Sequence, residues 1–253
     1  MIKVRIIPTL LFKDYGLVKG IAFDSWRRVG SAMQAVKVYN LREVDELVFL
    51  DITATLQGRP PDLETVDELA DECFMPLTVG GGVKTVQDVQ RLLRVGADKV
   101  AVNTAAVERP EFIREIAEKF GSQCVVVSID SQRLAGGAYE VFTHAGTRAT
   151  GLDPVALARK VAELGAGEIL LTSIDRDGTM DGYDVELIRR VSEVMSIPVI
   201  ASGGAGNYEH MAQALRDGKA TDLAAASIFH FTQQTPLEAK TYLAAQGFHM
   251  RFS

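Results

Sequence analysis

One stretch of the chain occurs twice, and this repeat constrains the fold more than any other feature. Residues 76–106 read PLTVGGGVKTVQDVQRLLRVGADKVAVNTAA, and they align without a gap with residues 198–228, PVIASGGAGNYEHMAQALRDGKATDLAAASI. At the same offset, residues 46–51 fall on residues 168–173. Each copy has an apolar run, a glycine-rich turn, a helix-period segment and a second apolar run. This pattern predicts parallel strands joined by helices.

The repeat predicts a single domain over residues 1–253, built from half-barrels at about 1–122 and 123–253. Strands are expected near residues 4–11, 46–52, 76–80, 98–103, 123–130, 168–173, 197–202 and 221–226. Helices are expected near residues 31–41, 62–74, 84–95, 109–120, 153–165, 183–195, 206–217 and 235–246. Eight such units with right-handed crossovers close into a (β/α)8 TIM barrel, whose typical length is roughly 250 residues. An open doubly wound sheet is the alternative, but it accounts less well for two equal halves.

Composition excludes several classes of partner and cofactor. A net charge of -6 gives no electrostatic reason to expect nucleic acid or an acidic membrane as a partner. Cys73 and Cys124 lie among apolar residues without a CxxC spacing, and the four histidines are scattered. We therefore expect reduced thiols, no metal and no other cofactor. No signal peptide or long apolar run is evident, so a cytoplasmic location is expected.

Two connections are longer than a strand-to-helix turn requires. Residues 13–30 follow the first strand and are predicted to form a mobile flap over the barrel mouth. Residues 131–151 follow the fifth strand, and the pattern around Gly136-Gly137 predicts a small hairpin. Both lie on the face formed by the C-terminal ends of the strands, where barrel enzymes carry their active sites.

Two glycine-rich turns are candidate phosphate sites. Residues 80–82 and 202–204 each stand directly after a strand and before a helix, where backbone N–H groups can reach an anion. Each is followed by a second loop of small residues, at 103–105 and 225–227. The two sets predict an elongated ligand with a phosphate at each end. The alternative is that the glycines only allow tight turns.

Asp130 is the candidate general acid or base, because it ends the fifth strand in VVVSID and would point into the barrel mouth. It could equally cap the next loop. Asp51 and the segment Asp177-Gly178-Thr179 are further candidates, although a loop-shaping role is the stronger interpretation for both aspartates. Thr172 and Ser202 would line the same mouth. The position equivalent to Asp130 in the first half is Leu11, which cannot move a proton.

Four charged residues lie at the opposite ends of the strands. Two cations and two anions there can pair at the barrel floor, and unpaired charges would be costly. These residues are Arg5, Glu46, Lys99 and Glu168. The alternative is that their salt bridges only plug the floor.

Over essentially its whole length the chain resembles the cyclase subunit of imidazole glycerol phosphate synthase (HisF) of histidine biosynthesis. The resemblance is carried by RIIP, KDYGLVKG, DELVFLDITA, PLTVGGGVKTVQD, GADKVAVNTAAVE, GSQCVVVSID, GAGEILLTSIDRDGTMDGYD, IPVIASGGAGN and AASIFH. It implies a lyase with a two-fold symmetric barrel that binds a bis-phosphorylated substrate. It also implies a HisH-like class I glutaminase partner, docked as a heterodimer, which sends ammonia through the barrel.

The resemblance also implies roles for individual residues. Asp130 resembles one of two catalytic aspartates, and the other falls on Leu11. Lys19 resembles the flap lysine, and Asp98 lies where the glutaminase docks. The floor charges Arg5, Glu46, Lys99 and Glu168 resemble the gate of the ammonia channel. The phosphate grips are Gly81, Gly82, Asn103 and Thr104 on one side, and Gly178, Gly203, Gly204, Ala226 and Ser227 on the other.

Leu11 separates three hypotheses for the function. The segment 9–45 looks more like relatives that accompany a sugar amidotransferase in surface-polysaccharide biosynthesis. The first hypothesis is therefore an ammonia-channelling synthase subunit of a glutamine amidotransferase complex for sugar amidation, acting on a phosphorylated or nucleotide-linked sugar. The second is a histidine-pathway cyclase that forms imidazole glycerol phosphate and aminoimidazole carboxamide ribotide. The third is a non-catalytic scaffold that activates a glutaminase.

Overall fold

A computed structural model describes residues 3–14, 16–42 and 44–252 of the chain. The strands are β1 (Ile6–Lys13), β2 (Gly16–Ile21), β3 (Asp24–Gly30), β4 (Leu47–Asp51), β5 (Leu77–Gly80), β6 (Lys99–Val102), β7 (Val125–Arg133), β8 (Tyr139–Thr143), β9 (Arg148–Ala149), β10 (Glu168–Ser173), β11 (Val199–Ser202) and β12 (Asp222–Ala225). The helices are α1 (Ala32–Leu41), α2 (Leu63–Glu72), α3 (Val86–Arg94), α4 (Thr104–Glu108), α5 (Glu111–Phe120), α6 (Pro154–Glu163), α7 (Val185–Ser192), α8 (Tyr208–Arg216), α9 (Ser227–Phe231) and α10 (Pro236–Ala245).

Eight parallel strands form a closed barrel in the order β1-β4-β5-β6-β7-β10-β11-β12, and β12 pairs back onto β1. Helices alternate with these strands, so the predicted (β/α)8 TIM barrel is confirmed. The open doubly wound sheet is wrong, because β1 pairs with both β4 and β12 and none of the eight strands has a free edge. None of the helices in the described ranges is long and apolar enough to cross a lipid bilayer.

The ends of the helices follow local sequence signals. Asp62, Asp153, Asp184 and Asn207 each accept a hydrogen bond from the backbone of the helix that follows them. Capping boxes open α3 and α10. These contacts satisfy backbone N–H groups that a helix start leaves free. The eight long helices lie within two or three residues of their predicted positions, whereas the one-turn helices α4 and α9 were not predicted.

Both long connections are built on antiparallel strands. β2 and β3 form a hairpin that continues β1, and β8 and β9 extend the end of β7. The predicted hairpin within residues 131–151 is therefore confirmed. The predicted flap is an ordered β-hairpin, and its mobility stays a prediction.

The gapless alignment of the two repeat copies is wrong beyond the end of their helices. α3 and α8 keep the original offset, but β6 and β12 are shifted by one further residue. The same contact occurs on both sides, since Leu77 N donates to Asp98 Oδ2 (2.8 Å) and Val199 N donates to Thr221 Oγ1 (2.9 Å). An extra residue therefore follows α8, where Lys219 takes a positive φ of 58°. The two-fold repeat of the whole barrel stays a prediction.

The barrel interior is layered along its axis. Charged side chains occupy the floor, where the strands begin. Above them lies an apolar layer of Ile7, Val48, Ala101, Val126, Leu170, Ile200 and Ala224, each at most 4% exposed. A polar mouth follows at the C-terminal ends of the strands. A larger apolar core fills the space between the barrel and its helices.

Candidate functional site

A single pocket at the barrel mouth is lined by the mouth residues predicted from the sequence, except Gly80 and Thr179. Its empty volume is about 1350 Å³ when its opening to solvent is counted. The predicted residues that line it are Lys19, Asp51, Gly81, Gly82, Asn103, Thr104, Asp130, Thr172, Asp177, Gly178, Ser202, Gly203, Gly204, Ala226 and Ser227. Their roles stay predictions, but their placement in one cavity is a property of the fold.

Asp130 lines this pocket, and 9% of the residue is exposed to solvent. Ser128, two residues earlier on the same face of β7, donates a hydrogen bond to Asp130 Oδ1 (3.3 Å). Asn103 Nδ2 donates to Asp130 Oδ2 (3.3 Å). The carboxyl group is therefore oriented by side chains of neighbouring strands and of its own strand, and no hydrogen bond among the described residues joins it to the loop that follows.

Burial raises the pKa of Asp130 to about 7, and the negative charge of Asp177 adds to this rise. Hydrogen bonds from Ser128 and Thr172 act in the opposite direction. Burial also raises the pKa of Asp177, although the positive charge of Lys19 opposes that shift. A carboxyl group that titrates near neutrality can both give and take a proton, as a general acid or base requires.

Leu11 lies in the same pocket at the position in β1 that corresponds to Asp130 in β7. Leu11 pairs with Leu50 of β4, as Asp130 pairs with Thr172 of β10. Each also begins the pairing with the hairpin that continues its strand, Leu11 with Val18 and Asp130 with Phe142. A hydrocarbon side chain therefore lines the pocket at the position in β1 that has the same strand pairing as Asp130 in β7.

The glycine turns follow a path that side chains would block. Gly81 has φ +111°, and a Cβ there would lie 2.2 Å from the Asp51 carbonyl oxygen. Gly204 has φ +109°, and a Cβ there would lie 2.2 Å from the Gly182 carbonyl oxygen. The tight-turn role considered from the sequence is therefore present. It is compatible with close approach of a ligand to the same backbone.

Two hydroxyl groups at the barrel mouth have no hydrogen-bond partner within the described part of the chain. The hydroxyl oxygens of Thr9 and Ser227 are buried without a hydrogen-bond partner, although their residues are only 7% and 5% exposed. The first turns of α4 and α9 also carry no side-chain cap. Both hydroxyl groups line the pocket and are available to a polar ligand.

The other two aspartates shape loops, as the sequence suggested. Asp51 Oδ1 accepts hydrogen bonds from the backbone N–H groups of Thr53 (3.0 Å) and Ala54 (3.1 Å). Its Oδ2 forms an ion pair with Arg59 (2.7 Å). Asp177 forms a buried ion pair with Lys19 (2.5 Å), which fastens the flap hairpin to the loop after β10.

The floor charges form the paired ring that was predicted, together with one further member. Arg5 Nη1 contacts Glu46 (2.7 Å) and Glu168 (2.9 Å), while Lys99 Nζ contacts the same two carboxylates at 2.8 and 3.0 Å. Asp222 accepts two side-chain hydrogen bonds from Arg5, at 2.9 and 2.7 Å. Burial acts to lower the pKa of Arg5, but its acidic partners outweigh burial and raise that pKa.

Some residues of the site were missed in the sequence analysis, because finding them requires the register of the strands. Asp222 corresponds to Lys99 only after the one-residue shift, so the gapless alignment hid it. Thr9 and Ser128 follow from strict alternation with Leu11 and Asp130.

Asp98 is exposed at the floor, as expected for a docking residue, and its role in docking stays a prediction. Within the described ranges, no cluster of three or more His, Cys, Asp or Glu could hold a metal ion.

One comparison with known proteins bears on this site. A family described as "Histidine biosynthesis protein" matches residues 5–235. The match extends from Arg5 in the floor ring, through both glycine turns, to beyond α9. It covers well over half of the chain, which therefore belongs to the histidine biosynthesis protein family.

Proposed function

We propose that this barrel is the synthase subunit of a glutamine amidotransferase complex. In this proposal a HisH-like class I glutaminase docks at the floor near Asp98 and releases ammonia into the barrel. Ammonia is then delivered at the mouth to a phosphorylated or nucleotide-linked sugar, in surface-polysaccharide biosynthesis, with a sugar amidotransferase as a further partner. Asp130 is the residue that moves the proton.

This proposal depends on the residues at two corresponding positions of the barrel mouth, Asp130 in β7 and Leu11 in β1. The mouth keeps a carboxyl group with a pKa near neutrality and keeps unpaired hydroxyl groups for a ligand. At the position equivalent to that carboxyl group it has leucine. A reaction that needs two proton-moving carboxylates is therefore disfavoured, and addition of ammonia with one general acid or base is favoured.

The layered interior supports a route for ammonia. The floor ring is closed by ion pairs, and the layer above it is apolar. Neutral ammonia crosses an apolar layer at far lower cost than ammonium, whose charge would have to be desolvated. The ring would then act as a gate, with Lys99 or Arg5 moving away from the shared carboxylates of Glu46 and Glu168.

A second candidate function is the histidine-pathway cyclase, which is equally consistent with the family match. In that case water or another residue would replace the missing second acid. A non-catalytic scaffold is the weakest of the three hypotheses. It would have no use for a buried carboxyl group near neutrality or for unpaired hydroxyl groups in an open pocket.

Ser227 provides a test of the phosphate grip. Hydrogen bonds to charged groups contribute about 1.5–3 kcal/mol, so Ser227→Ala is expected to weaken binding of ribose 5-phosphate about tenfold or more. The same substitution removes an unpaired buried hydroxyl group, so the free energy of unfolding should stay equal or rise. Isothermal titration calorimetry and urea unfolding measure the two effects.

Ser192 offers a matched control, because its hydroxyl oxygen is also buried without a partner but lies on α7 outside the pocket. Ser192→Ala should leave the affinity for ribose 5-phosphate unchanged. Equal affinities for the wild type and Ser227→Ala would show that Ser227 is not part of a phosphate grip.

A further inference from the structure

The pocket has two walls of different chemistry. Asn103, Ser128, Asp130, Thr172 and Asp177 form a polar wall on β6, β7, β10 and the loop after β10. The opposite wall comes from β1, β4 and the flap hairpin, where Thr9, Lys19 and Asp51 stand beside an apolar and partly aromatic group. Its members are Leu11, Phe23, Trp26, Leu50 and Ile52. This group offers a ligand an apolar surface and two aromatic rings.

The aromatic part of this wall is held in place on several sides. The Lys19–Asp177 ion pair fixes β2, and Ala22 N donates to the Asp177 carbonyl oxygen (2.8 Å). Arg27 of β3 stacks on the Phe231 ring, 3.8 Å from its centroid. The hairpin is thus fastened at its tip and along both strands.

The turn of the hairpin is strained. Ala22 and Phe23 both have positive φ, 49° and 61°, in a two-residue turn where glycine or asparagine is usual. Such strain persists only where surrounding contacts impose it. Phe23, in this turn, also lines the pocket.

Trp26 is placed to contact a ligand directly. Its ring lies against Gly20 so closely that a Cβ on that glycine would be 2.9 Å from a ring carbon. Gly20 therefore supports one part of the indole ring, while Trp26 also lines the pocket and is only half-buried. A rigid, partly uncovered indole ring facing a cavity is a ready stacking surface.

We propose that Trp26 is a specificity-determining residue that stacks on a planar heterocyclic ring of a phosphorylated ligand. This rests on the proposed function, since it places the ring in the pocket that grips the phosphate. The ligand class is a nucleotide or a similar ring-bearing phosphate ester. Leu11 belongs to the same apolar wall, so the position that lacks a carboxyl group contributes to packing around the ligand.

The test compares two probes that differ only in the ring. AMP and ribose 5-phosphate share the sugar and the phosphate, and only AMP has a planar base. The wild type should bind AMP at least about fivefold more tightly, because stacking of a base on an aromatic side chain has an effect of this size or larger. Trp26 is the only tryptophan of the chain, so quenching of its fluorescence reports AMP directly.

Variants of Trp26 are compared by calorimetry. Trp26→Leu should weaken AMP binding at least about fivefold and leave ribose 5-phosphate within twofold of the wild type, and Trp26→Phe should restore most of the loss. An equal loss for both probes in Trp26→Leu would mean that Trp26 only supports the hairpin, and would overturn the inference. Unchanged AMP affinity in Trp26→Leu would also overturn the inference about Trp26, but it would leave the phosphate grip and the proposed function standing. If the wild type bound neither AMP nor ribose 5-phosphate, the inference and the proposed function would both be wrong.

Discussion

Replacing Asp130 by asparagine is expected to lower ammonium-dependent product formation by about 10²–10⁴-fold, the usual contribution of a general acid or base. Asparagine has nearly the same shape and can keep a hydrogen bond with Ser128 or Asn103, so the pocket should stay intact. What it loses is the proton that a carboxyl group with a pKa near 7 can exchange. The rates of the wild type and the variant are compared by following, with mass spectrometry, the loss of an acceptor that the wild type consumes.

The same variant should be more stable than the wild type at neutral pH. The pKa of Asp130 is about 7 in the folded protein, whereas an aspartate in the unfolded chain has its ordinary pKa of 3.8. Between these values the unfolded chain loses its proton and the folded protein keeps it. The wild type therefore loses stability relative to Asp130→Asn as pH rises from about 4 to about 7, by on the order of 4 kcal/mol.

Urea unfolding at pH 4 and pH 8 checks the second effect, and the difference between the two proteins should be larger at pH 8. A variant that is both less stable at pH 8 and only slightly slower would contradict the role of Asp130. Retained activity with increased stability would mean that another group moves the proton.

Replacing Arg5 by methionine should destabilise the fold by about 3–5 kcal/mol, the usual cost of removing one partner from a buried ion pair. Arg5 contacts three carboxylates, and two of them, Glu46 and Asp222, have side chains only 2% exposed. Lys99 still pairs with Glu46 and Glu168 in the variant. Asp222 keeps no side-chain partner in the described part of the chain, so its charge is left buried.

Arg216 is the control, because it forms an ion pair of similar length with Glu209 (2.8 Å) on the surface of α8. Arg216→Met should cost at most about 1 kcal/mol, as exposed ion pairs do. The double variant Arg5→Met/Asp222→Leu should recover part of the stability lost in Arg5→Met. Equal unfolding midpoints in urea for the two single variants would show that the floor ring is not under the electrostatic constraint described here.

Much of the fold could be predicted from local patterns in the sequence. The glycine turns and apolar runs locate the barrel strands, and Asp153-Pro154 opens α6 as expected. The mouth residues could be predicted because parallel strands bring their C-terminal ends together. Period-two alternation back from Asp130 and Leu11 would also have found Ser128 and Thr9.

The remaining features depend on geometry that residue types do not encode. The extra residue after α8 is invisible in a gapless alignment, since Gly96 and Gly218 match by type although Lys219 takes the positive φ. The flap was expected only as a loop because Ala22 and Phe23 are not residues that usually form a tight hairpin turn. Its position is set by tertiary contacts such as the Lys19–Asp177 ion pair.

The central claim is that the mouth has one proton-moving carboxyl group, with Leu11 in the place of a second. The most direct measurement is the turnover of the purified wild-type chain with ammonium and the bis-phosphorylated ribulosyl aminoimidazole carboxamide substrate. A family cyclase that has both carboxylates is assayed beside it. We expect imidazole glycerol phosphate formation to be at least about a hundredfold slower than in that reference enzyme. Equal turnover would contradict the claim and assign the chain to the histidine pathway.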